Sequence, residues 1–215
     1  MNPLSIQARS PLFAHRDYKQ NKNTKSDSII SITEIPFCLH LNLRINSSQK
    51  LALSQAEMVL GQKIPIRPNI SSTRQNTRVS WLGPDEWLLV SSDQDQSVEN
   101  RLIDAWEPFF HSIVNISGGQ IVIQVSGMKV SELLNRGCPI DLHPLSFREG
   151  DCAQSLFYGI PIFIVRCHSS EVGVANFELV VRRSFADSFI ELLIDSGKSY
   201  RLELNIGSEK KISIR

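Results

Sequence analysis

The feature that most limits the fold of this sequence is a change of hydrophobic period between residues 120 and 136. Residues 120–125 alternate apolar and polar side chains, which is the period of a strand with one buried face. Residues 128–136 then place apolar side chains three and four positions apart, as a short amphipathic helix does. Gly137 suits the position after a helix end, and Pro139 cannot continue the helix. The stretch therefore predicts a strand, a tight turn and a helix that packs on the strand.

The glycines near this turn do not predict a phosphate site. A phosphate-binding loop needs several glycines at a defined spacing, so that backbone N–H groups can approach an anion. Gly118, Gly119 and Gly127 do not have that spacing. We therefore interpret the stretch as a structural βα unit.

The charge balance argues against nucleic acid or a membrane as the main partner. The 215 residues carry 23 Lys and Arg against 22 Asp and Glu, a net charge of +1.

The four cysteines are dispersed, and the first residues lack the apolar core of a signal peptide. The longest apolar run, 156–165, is interrupted by Gly159 and Pro161 and is too short to span a bilayer. We expect a cytoplasmic protein with free thiols.

The region before this stretch gives strand and helix signals in turn. Residues 37–45 place apolar side chains at every second position and predict the clearest strand of the sequence. The serines at 47–48 offer an N-cap for a helix that ends at Gly61. Residues 79–90 predict a β-hairpin, and residues 97–110 return to helical spacing.

A second series of elements follows the stretch. Three short strands are predicted between residues 153 and 182. Ser184 and Asp187 resemble a capping box ahead of a helix, and residues 200–206 alternate again as a last strand.

The element order divides the chain into two halves, about residues 35–117 and 118–206. Each half is interpreted as a split-βαβ, ferredoxin-like unit, so the predicted class is α+β with antiparallel sheets and helices on one face. Residues 15–28 are almost entirely polar, and residues 1–34 are therefore predicted to be a flexible leader. Residues 207–215 are predicted to be a frayed tail.

The sequence contains no recognisable catalytic or metal-binding pattern. Cys138 lies close to His143 and is the best candidate thiol, but a buried, inert cysteine is the commoner case. Asp141 and His143 lack a third metal ligand. Cys167 and His168 are adjacent in sequence. Because neighbours on a strand point to opposite faces, these two side chains are poorly placed to share one metal ion. We therefore predict no catalytic residue and no metal ligand.

One small group of residues offers an alternative ligand pocket. Trp81 and Trp87 bracket the predicted hairpin turn, where they would stack on a flat ligand, and Arg182 would hold a carboxylate. In the opposing interpretation the two tryptophans belong to the core and Arg182 is a solvated side chain at a strand end.

Three strings carry a resemblance to a known family: WLGPDEWLL at 81–89, LLNRGCPIDLHP at 133–144 and VRRSFADSF at 181–189. In this order and spacing, the chain resembles the gamma subunit of heterotetrameric sarcosine oxidase from about residue 35 to residue 196. The resemblance implies a fold related to the folate-binding domain of glycine-cleavage aminomethyltransferases.

The resemblance also implies a function. Enzymes of this family oxidatively demethylate sarcosine and hold FAD, FMN, NAD and tetrahydrofolate on their larger subunits. This chain would then carry no cofactor and would be a non-catalytic subunit that assembles with the alpha, beta and delta subunits. The alternative is a free-standing folate-binding or one-carbon-transfer protein that uses Trp81, Trp87 and Arg182. A third hypothesis is a redox-sensing adaptor based on Cys138 or Cys152.

Overall fold

Two β-sheets with helices on their outer faces form the fold in the computed structural model, which describes residues 5–18, 29–93, 97–207 and 209–213. The strands are β1 (Ser5–Arg9), β2 (Ile29–Ile35), β3 (Leu39–Ile45), β4 (Ser71–Arg74), β5 (Thr77–Gly83), β6 (Glu86–Ser91), β7 (His111–Asn115), β8 (Gln120–Gly127), β9 (Cys152–Phe157), β10 (Ile160–Cys167), β11 (Ala175–Arg182), β12 (Arg201–Asn205) and β13 (Glu209–Ser213). The α-helices are α1 (Lys50–Leu60), α2 (Ser97–Trp106), α3 (Val130–Asn135) and α4 (Ala186–Ser196).

The first sheet contains five strands in the order β4-β5-β6-β3-β7, and all neighbours are antiparallel. Alternate residues of β3 lie under α1 and α2, with Leu41 and Leu43 fully buried beside Trp87 and Trp106. This alternation is the period predicted for residues 37–45. Helix α1 ends at the predicted glycine, Gly61, which has a φ of +65°.

The second sheet contains six strands in the order β12-β2-β8-β11-β10-β9. Strands β12 and β2 are parallel, and the other neighbours are antiparallel. Helices α3 and α4 cover its outer face, where Leu133 and Phe189 pack against Ile123 of β8 and its neighbours. The predicted strand-turn-helix stretch is therefore present as β8 and α3, and the fold class is α+β as predicted.

The inner faces of the two sheets pack on each other, so the layers run helix, sheet, sheet, helix. Eight buried residues form this inter-sheet layer: Cys38, Leu88, Val90, Val122, Cys152, Phe163, Val165 and Val180. The sheets also join at one edge, where the Ser71 N–H donates to the Gly150 carbonyl at 2.7 Å. The buried apolar residues therefore form three layers, one beneath each pair of helices and one between the sheets.

Both predicted helix N-caps are wrong. Helix α1 begins after Gln49, which makes no side-chain capping bond, and the Ser47 N–H donates to the Asp85 carboxylate at 2.7 Å instead. Helix α4 begins after Phe185, and Asp187 bonds to His15 rather than closing a capping box. At α4, His15 is distant in sequence and takes the carboxylate that local spacing assigned to the capping box.

The boundary predicted at residue 35 also differs from the structure. Strand β2 lies between β8 and β12 in the six-stranded sheet, and Ile30 and Ile32 are fully buried there. The ordered domain therefore begins before residue 35, and one strand from the predicted leader completes the second sheet. Residues 19–28 lie outside the described residues, so flexibility there stays a prediction.

The predicted frayed tail contains a strand. Strand β13 pairs antiparallel with β1, and Arg9 lies opposite Glu209 with an ion pair of 3.0 Å between them. The two ends of the chain thus form a two-stranded ribbon, which a search for local periodicity cannot detect.

Candidate functional site

The three residues of the predicted alternative pocket do not surround one site. Trp81 and Trp87 lie opposite each other on β5 and β6, but Trp87 has no exposed surface and donates through Nε1 to the Pro65 carbonyl at 2.6 Å. Both tryptophans pack on the helix side of the first sheet. Arg182 is exposed at the end of β11 in the other sheet. Trp87 therefore lies inside the core, and Trp81 packs against it from a partly exposed position.

The candidate thiol and histidine do not form a catalytic pair either. Cys138 is buried, and its Sγ lies 3.5 Å from the Ser155 hydroxyl. His143 is exposed, and its backbone N–H donates to the Asp141 carboxylate at 2.9 Å. In the part of the chain that the structure describes, no hydrogen bond joins Cys138 to His143.

A buried ion pair lies between the two sheets. Arg78 of β5 donates both terminal guanidinium nitrogens to the two carboxylate oxygens of Glu178 on β11. The side chains are only 5% and 16% exposed, respectively. Burial alone would lower the pKa of Arg78, but the hydrogen bonds and charge of Glu178 raise it above its ordinary value. The pair is therefore charged and holds the two sheets in one register.

Three thiols surround this ion pair and are held in their unreactive form. Burial raises the pKa of Cys38 and of Cys152 to about 12, and that of Cys167 to about 11. The thiolate is the nucleophile and the metal ligand, so these groups are poorly suited to either role at neutral pH. This environment gives no support to a redox role for Cys152.

His40 lies on β3 near the same layer and is 1% exposed. Its Nδ1 is 3.1 Å from the Cys38 carbonyl, and its backbone N–H donates to the Ser117 hydroxyl at 2.9 Å. Burial lowers the pKa of His40 to about 4, so the imidazole is neutral at physiological pH. His40 borders a cavity at the crossover from β2 to β3.

One cluster that the sequence did not predict joins the N-terminal segment to α4. His15 Nε2 lies 2.6 Å from the Asp187 carboxylate, and Glu191 brings a third potential ligand atom within 4.8 Å of the other two. His15 and Asp187 are 172 positions apart, so no local spacing could have revealed the cluster. Its direct His–Asp bond fixes the N-terminal segment on the helix.

The helices of the described residues are all too short or too polar to cross a bilayer. The fold and these contacts define an α+β protein with two large sheets, which a buried ion pair between Arg78 and Glu178 connects.

A comparison with known protein families identifies the family to which the chain belongs. Residues 47–199 match the family described as "Sarcosine oxidase, gamma subunit family", and the chain belongs to that family. The resemblance inferred from the three strings is thereby confirmed.

Two curated relatives are similar over most of their length. The chain is 26% identical over 170 residues to sarcosine oxidase subunit gamma of Corynebacterium sp. (strain U-96), covering 78% of both chains. It is 25% identical over 170 residues to the same subunit of Arthrobacter sp., covering 78% of this chain and 79% of the relative.

Two solved structures share the fold. The heterotetrameric sarcosine oxidase from Corynebacterium sp. U-96, in complex with pyrrole 2-carboxylate, contains a chain that matches with a TM-score of 0.77 at 23% identity, over 90% of this chain and 97% of that one. Glycine cleavage system aminomethyltransferase T from Bartonella henselae matches with a TM-score of 0.58 at 14% identity, over 85% of this chain and 48% of that one. The relation to the aminomethyltransferase fold is therefore present, as the resemblance implied.

Proposed function

We propose that this chain is a non-catalytic assembly subunit of a cytoplasmic, sarcosine-oxidase-type flavoenzyme. Its partners are the alpha, beta and delta subunits. The complex oxidatively demethylates sarcosine, with FAD, FMN, NAD and tetrahydrofolate held on the larger subunits.

The single observation that carries this proposal is family membership across residues 47–199. The chemistry of the described residues agrees with a subunit that does not catalyse. The ionisable groups of the inter-sheet layer are paired or held neutral, as Arg78 and Glu178 and the buried thiols are. A catalytic acid, base or nucleophile needs a pKa matched to its task and access to substrate.

The exposed edge of the five-stranded sheet supports a role in assembly. Strand β7 ends the strand order, and its outer edge has no strand beside it in the described part of the chain. Phe110 precedes β7 and is 96% exposed, and Val114 within β7 is 48% exposed. An open strand edge beside apolar side chains suits docking by another chain. We place one contact with a larger subunit at this edge.

We also propose that each of the two large sheets contains one split-βαβ unit. In the first, α1 leads from β3 to β5 through the edge strand β4, and β6 lies between β3 and β5. In the second, α3 leads from β8 to β10 through the edge strand β9, and β11 lies between β8 and β10. The insertion of β2 distinguishes the second unit from the first.

Co-expression with candidate alpha, beta and delta subunits tests the function. We expect this chain to copurify with them in fixed proportion, and the isolated chain to leave sarcosine unchanged. A chain that stays monomeric beside all three partners would contradict the assembly role. Sarcosine oxidation by the isolated chain would contradict the non-catalytic role.

A free-standing folate-binding or one-carbon-transfer protein is the second candidate function, and the shared fold with the aminomethyltransferase favours it. Trp81 is the partly exposed tryptophan of the predicted pocket and would report a bound ring system. Titration of a reduced folate against tryptophan fluorescence tests this candidate. Unchanged emission at millimolar folate would remove it.

A further inference from the structure

Two carboxylates on one face of α4 lie beside a histidine of the N-terminal segment. Asp187 and Glu191 are four positions apart on the helix, so they are neighbours on the same face, one turn apart. Both residues are exposed. His15 completes the group, because its ring nitrogen and one oxygen of each carboxylate all lie within 4.8 Å of one another. One imidazole and two carboxylates therefore share one small region of the surface.

The position of His15 is set by the core and not by the carboxylates alone. His15 ends a single 3-10 turn, Phe13–His15, and its backbone N–H donates to the Leu12 carbonyl at 2.9 Å. Leu12 has no exposed surface and belongs to the core cluster that α4 covers. The His15 side chain itself is 17% exposed. The imidazole is therefore held in place and can still be reached by an ion from solvent.

The two carboxylates carry negative charge that their partners do not balance. In the part of the chain that the structure describes, the Asp187 side chain makes one bond, to His15 Nε2 at 2.6 Å, and the Glu191 side chain makes none. Like charges four positions apart on a helix repel each other. A neutral imidazole does not remove this repulsion, so the group attracts a cation.

The arginines closest in sequence to the group do not supply this positive charge. Arg16 follows His15, but its guanidinium pairs with Asp17 at 3.2 Å. Arg183 lies just before α4, but one of its terminal nitrogens donates to the Arg9 carbonyl at 2.9 Å. The space between the carboxylates and the imidazole is therefore open to a small cation.

The types of ligand atom indicate which cation fits. Imidazole nitrogen and carboxylate oxygen are ligands of Zn²⁺, whereas Mg²⁺ and Ca²⁺ prefer oxygen alone. Zinc bonds of about 2.0–2.2 Å in a tetrahedral arrangement place two ligand atoms about 3.3 Å apart. The 2.6 Å between His15 Nε2 and the Asp187 carboxylate must then open only slightly. The Glu191 side chain is exposed and closes the remaining distance by rotation.

We propose that His15, Asp187 and Glu191 bind one Zn²⁺ ion, which holds the N-terminal segment on α4. Because a carboxylate only accepts, the neutral ring donates its Nε2 proton to Asp187 in the metal-free chain. Zinc takes the place of this proton, which moves to Nδ1. Three protein ligands leave the fourth position for water.

The sequence predicted no metal ligand, because local spacing does not bring together residues that are 172 positions apart. A metal ion that joins such distant positions closes a long loop of the unfolded chain and so stabilises the folded one. The site goes beyond the assembly function and does not depend on it.

Titration of the full-length chain with zinc tests the site. The chain is labelled with ¹⁵N-histidine, freed of metal with a chelator and titrated at neutral pH, where unprotonated imidazole is available as a ligand. We expect the Nε2 resonance of His15 to shift and to saturate as Zn²⁺ binds. Mg²⁺ at the same concentrations should leave this resonance unmoved. The His15→Gln variant assigns the signal among the five histidines.

The Glu191→Gln variant tests the ligand set without removing any bond that the described residues make. Loss of a group that only supports a metal ligand costs about 10–100-fold in affinity, so loss of a ligand should raise the Kd for Zn²⁺ at least about tenfold. Glu149→Gln is the matched control. Glu149 also bonds to a histidine, His168 Nδ1, at 2.8 Å, but among the described residues this pair has no third ligand. The control should bind zinc as the unmodified chain does.

Trypsin cleavage after Arg16 reports whether the ion holds the segment in place. Cleavage there requires the segment to leave α4, and zinc binds only the closed form. At a Zn²⁺ concentration of ten times the Kd, cleavage after Arg16 should therefore slow about tenfold. At the same zinc concentration, the effect should be much smaller in Glu191→Gln.

Four results would overturn the proposal. A His15 resonance unmoved by excess Zn²⁺ would mean that the group holds only its direct hydrogen bond. An equal shift with Mg²⁺ would mean that the carboxylates alone attract the cation. An unchanged Kd in folded Glu191→Gln, or an equal loss in Glu149→Gln, would place the zinc elsewhere. Cleavage after Arg16 that zinc does not slow would show that the ion does not hold the segment.

Discussion

Arg78 on β5 and Glu178 on β11 connect the two sheets through a bidentate ion pair that is almost completely buried. The two residues are 100 positions apart and belong to different sheets. Because a buried charge without its partner is costly, each residue requires the other, and the contact specifies how the sheets align.

Replacement of one member of this pair should be strongly destabilising. Glu178→Gln leaves the Arg78 guanidinium charged in the inter-sheet layer, and we expect a loss of about 3 kcal/mol in the free energy of unfolding. Urea denaturation at neutral pH measures the loss. The double variant Arg78→Met, Glu178→Leu should recover much of it, because no charge remains buried. A loss below about 1 kcal/mol in the single variant would contradict this role.

The buried imidazole of His40 should make stability fall with acid. Its pKa is lowered from 6.5 to about 4 by burial, so between these values the unfolded chain binds more protons than the folded one. This contribution of His40 to the free energy of unfolding is fully present above pH 6.5 and is lost as the pH falls toward 4. It amounts to about 3 kcal/mol. Unfolding free energies at pH 7.5, 5.5 and 4 measure it.

The His40→Leu variant isolates this contribution from the other histidines and the carboxylates. The difference in unfolding free energy between the two proteins should change across pH 6.5 to 4 and become constant below that range. A difference that is independent of pH would show that His40 titrates alike in the folded and unfolded chains.

Gly127 should not tolerate a side chain. It has a φ of +147°, and an added Cβ would lie 2.5 Å from the Ile29 carbonyl oxygen of β2. We expect Gly127→Ala to lower the free energy of unfolding by about 2 kcal/mol or more. Gly118→Ala is the matched control, since an added Cβ there meets no atom within 4 Å. Equal stability of the two variants in urea would contradict the close approach of β2.

The inter-sheet thiols should resist alkylation in the folded chain. Cys38, Cys152 and Cys167 have pKa values raised to about 12, 12 and 11 by burial, which leaves little thiolate at pH 8. Native protein treated with a thiol reagent should react slowly at these three positions. Urea-unfolded protein should react at all four cysteines. Rapid modification of native Cys152 would restore the redox-sensing hypothesis.

Assembly should depend on the apolar edge at β7. Phe110 is 96% exposed, so Phe110→Asp should leave the isolated fold unchanged and reduce copurification with the larger subunits at least tenfold. Val172→Asp is the control, because Val172 is fully exposed in the loop before β11. Undiminished copurification of a folded Phe110→Asp variant would place the contact elsewhere.

Local periodicity predicted most of the elements. The strand predicted over 37–45 is β3, the helix predicted over 97–110 contains α2, and the strand predicted over 200–206 contains β12. These predictions succeed because alternation and helical spacing are imposed by burial on one face of each element. The same signal did not recover β2, because the polar residues before it led to its assignment to a leader.

The candidate sites were much less predictable than the elements. Trp81 and Trp87 suggested a ligand platform, but the packing of the sheet on α1 and α2 places Trp87 inside the core. His40 gave no signal, since a histidine within an alternating strand is compatible with an exposed side chain. The cavity that His40 borders is also lined by residues of β8, which is remote from His40 in sequence.

The sequence by itself determined most element types, the α+β class and the family, because these depend on short-range spacing and on strings such as WLGPDEWLL. Only the tertiary structure decided the placement of β2, the ion pair between Arg78 and Glu178, and the cavity beside His40. Each of these joins residues from different strands or sheets. The free energy of such contacts depends on burial and on distance in space, which one-dimensional spacing does not contain.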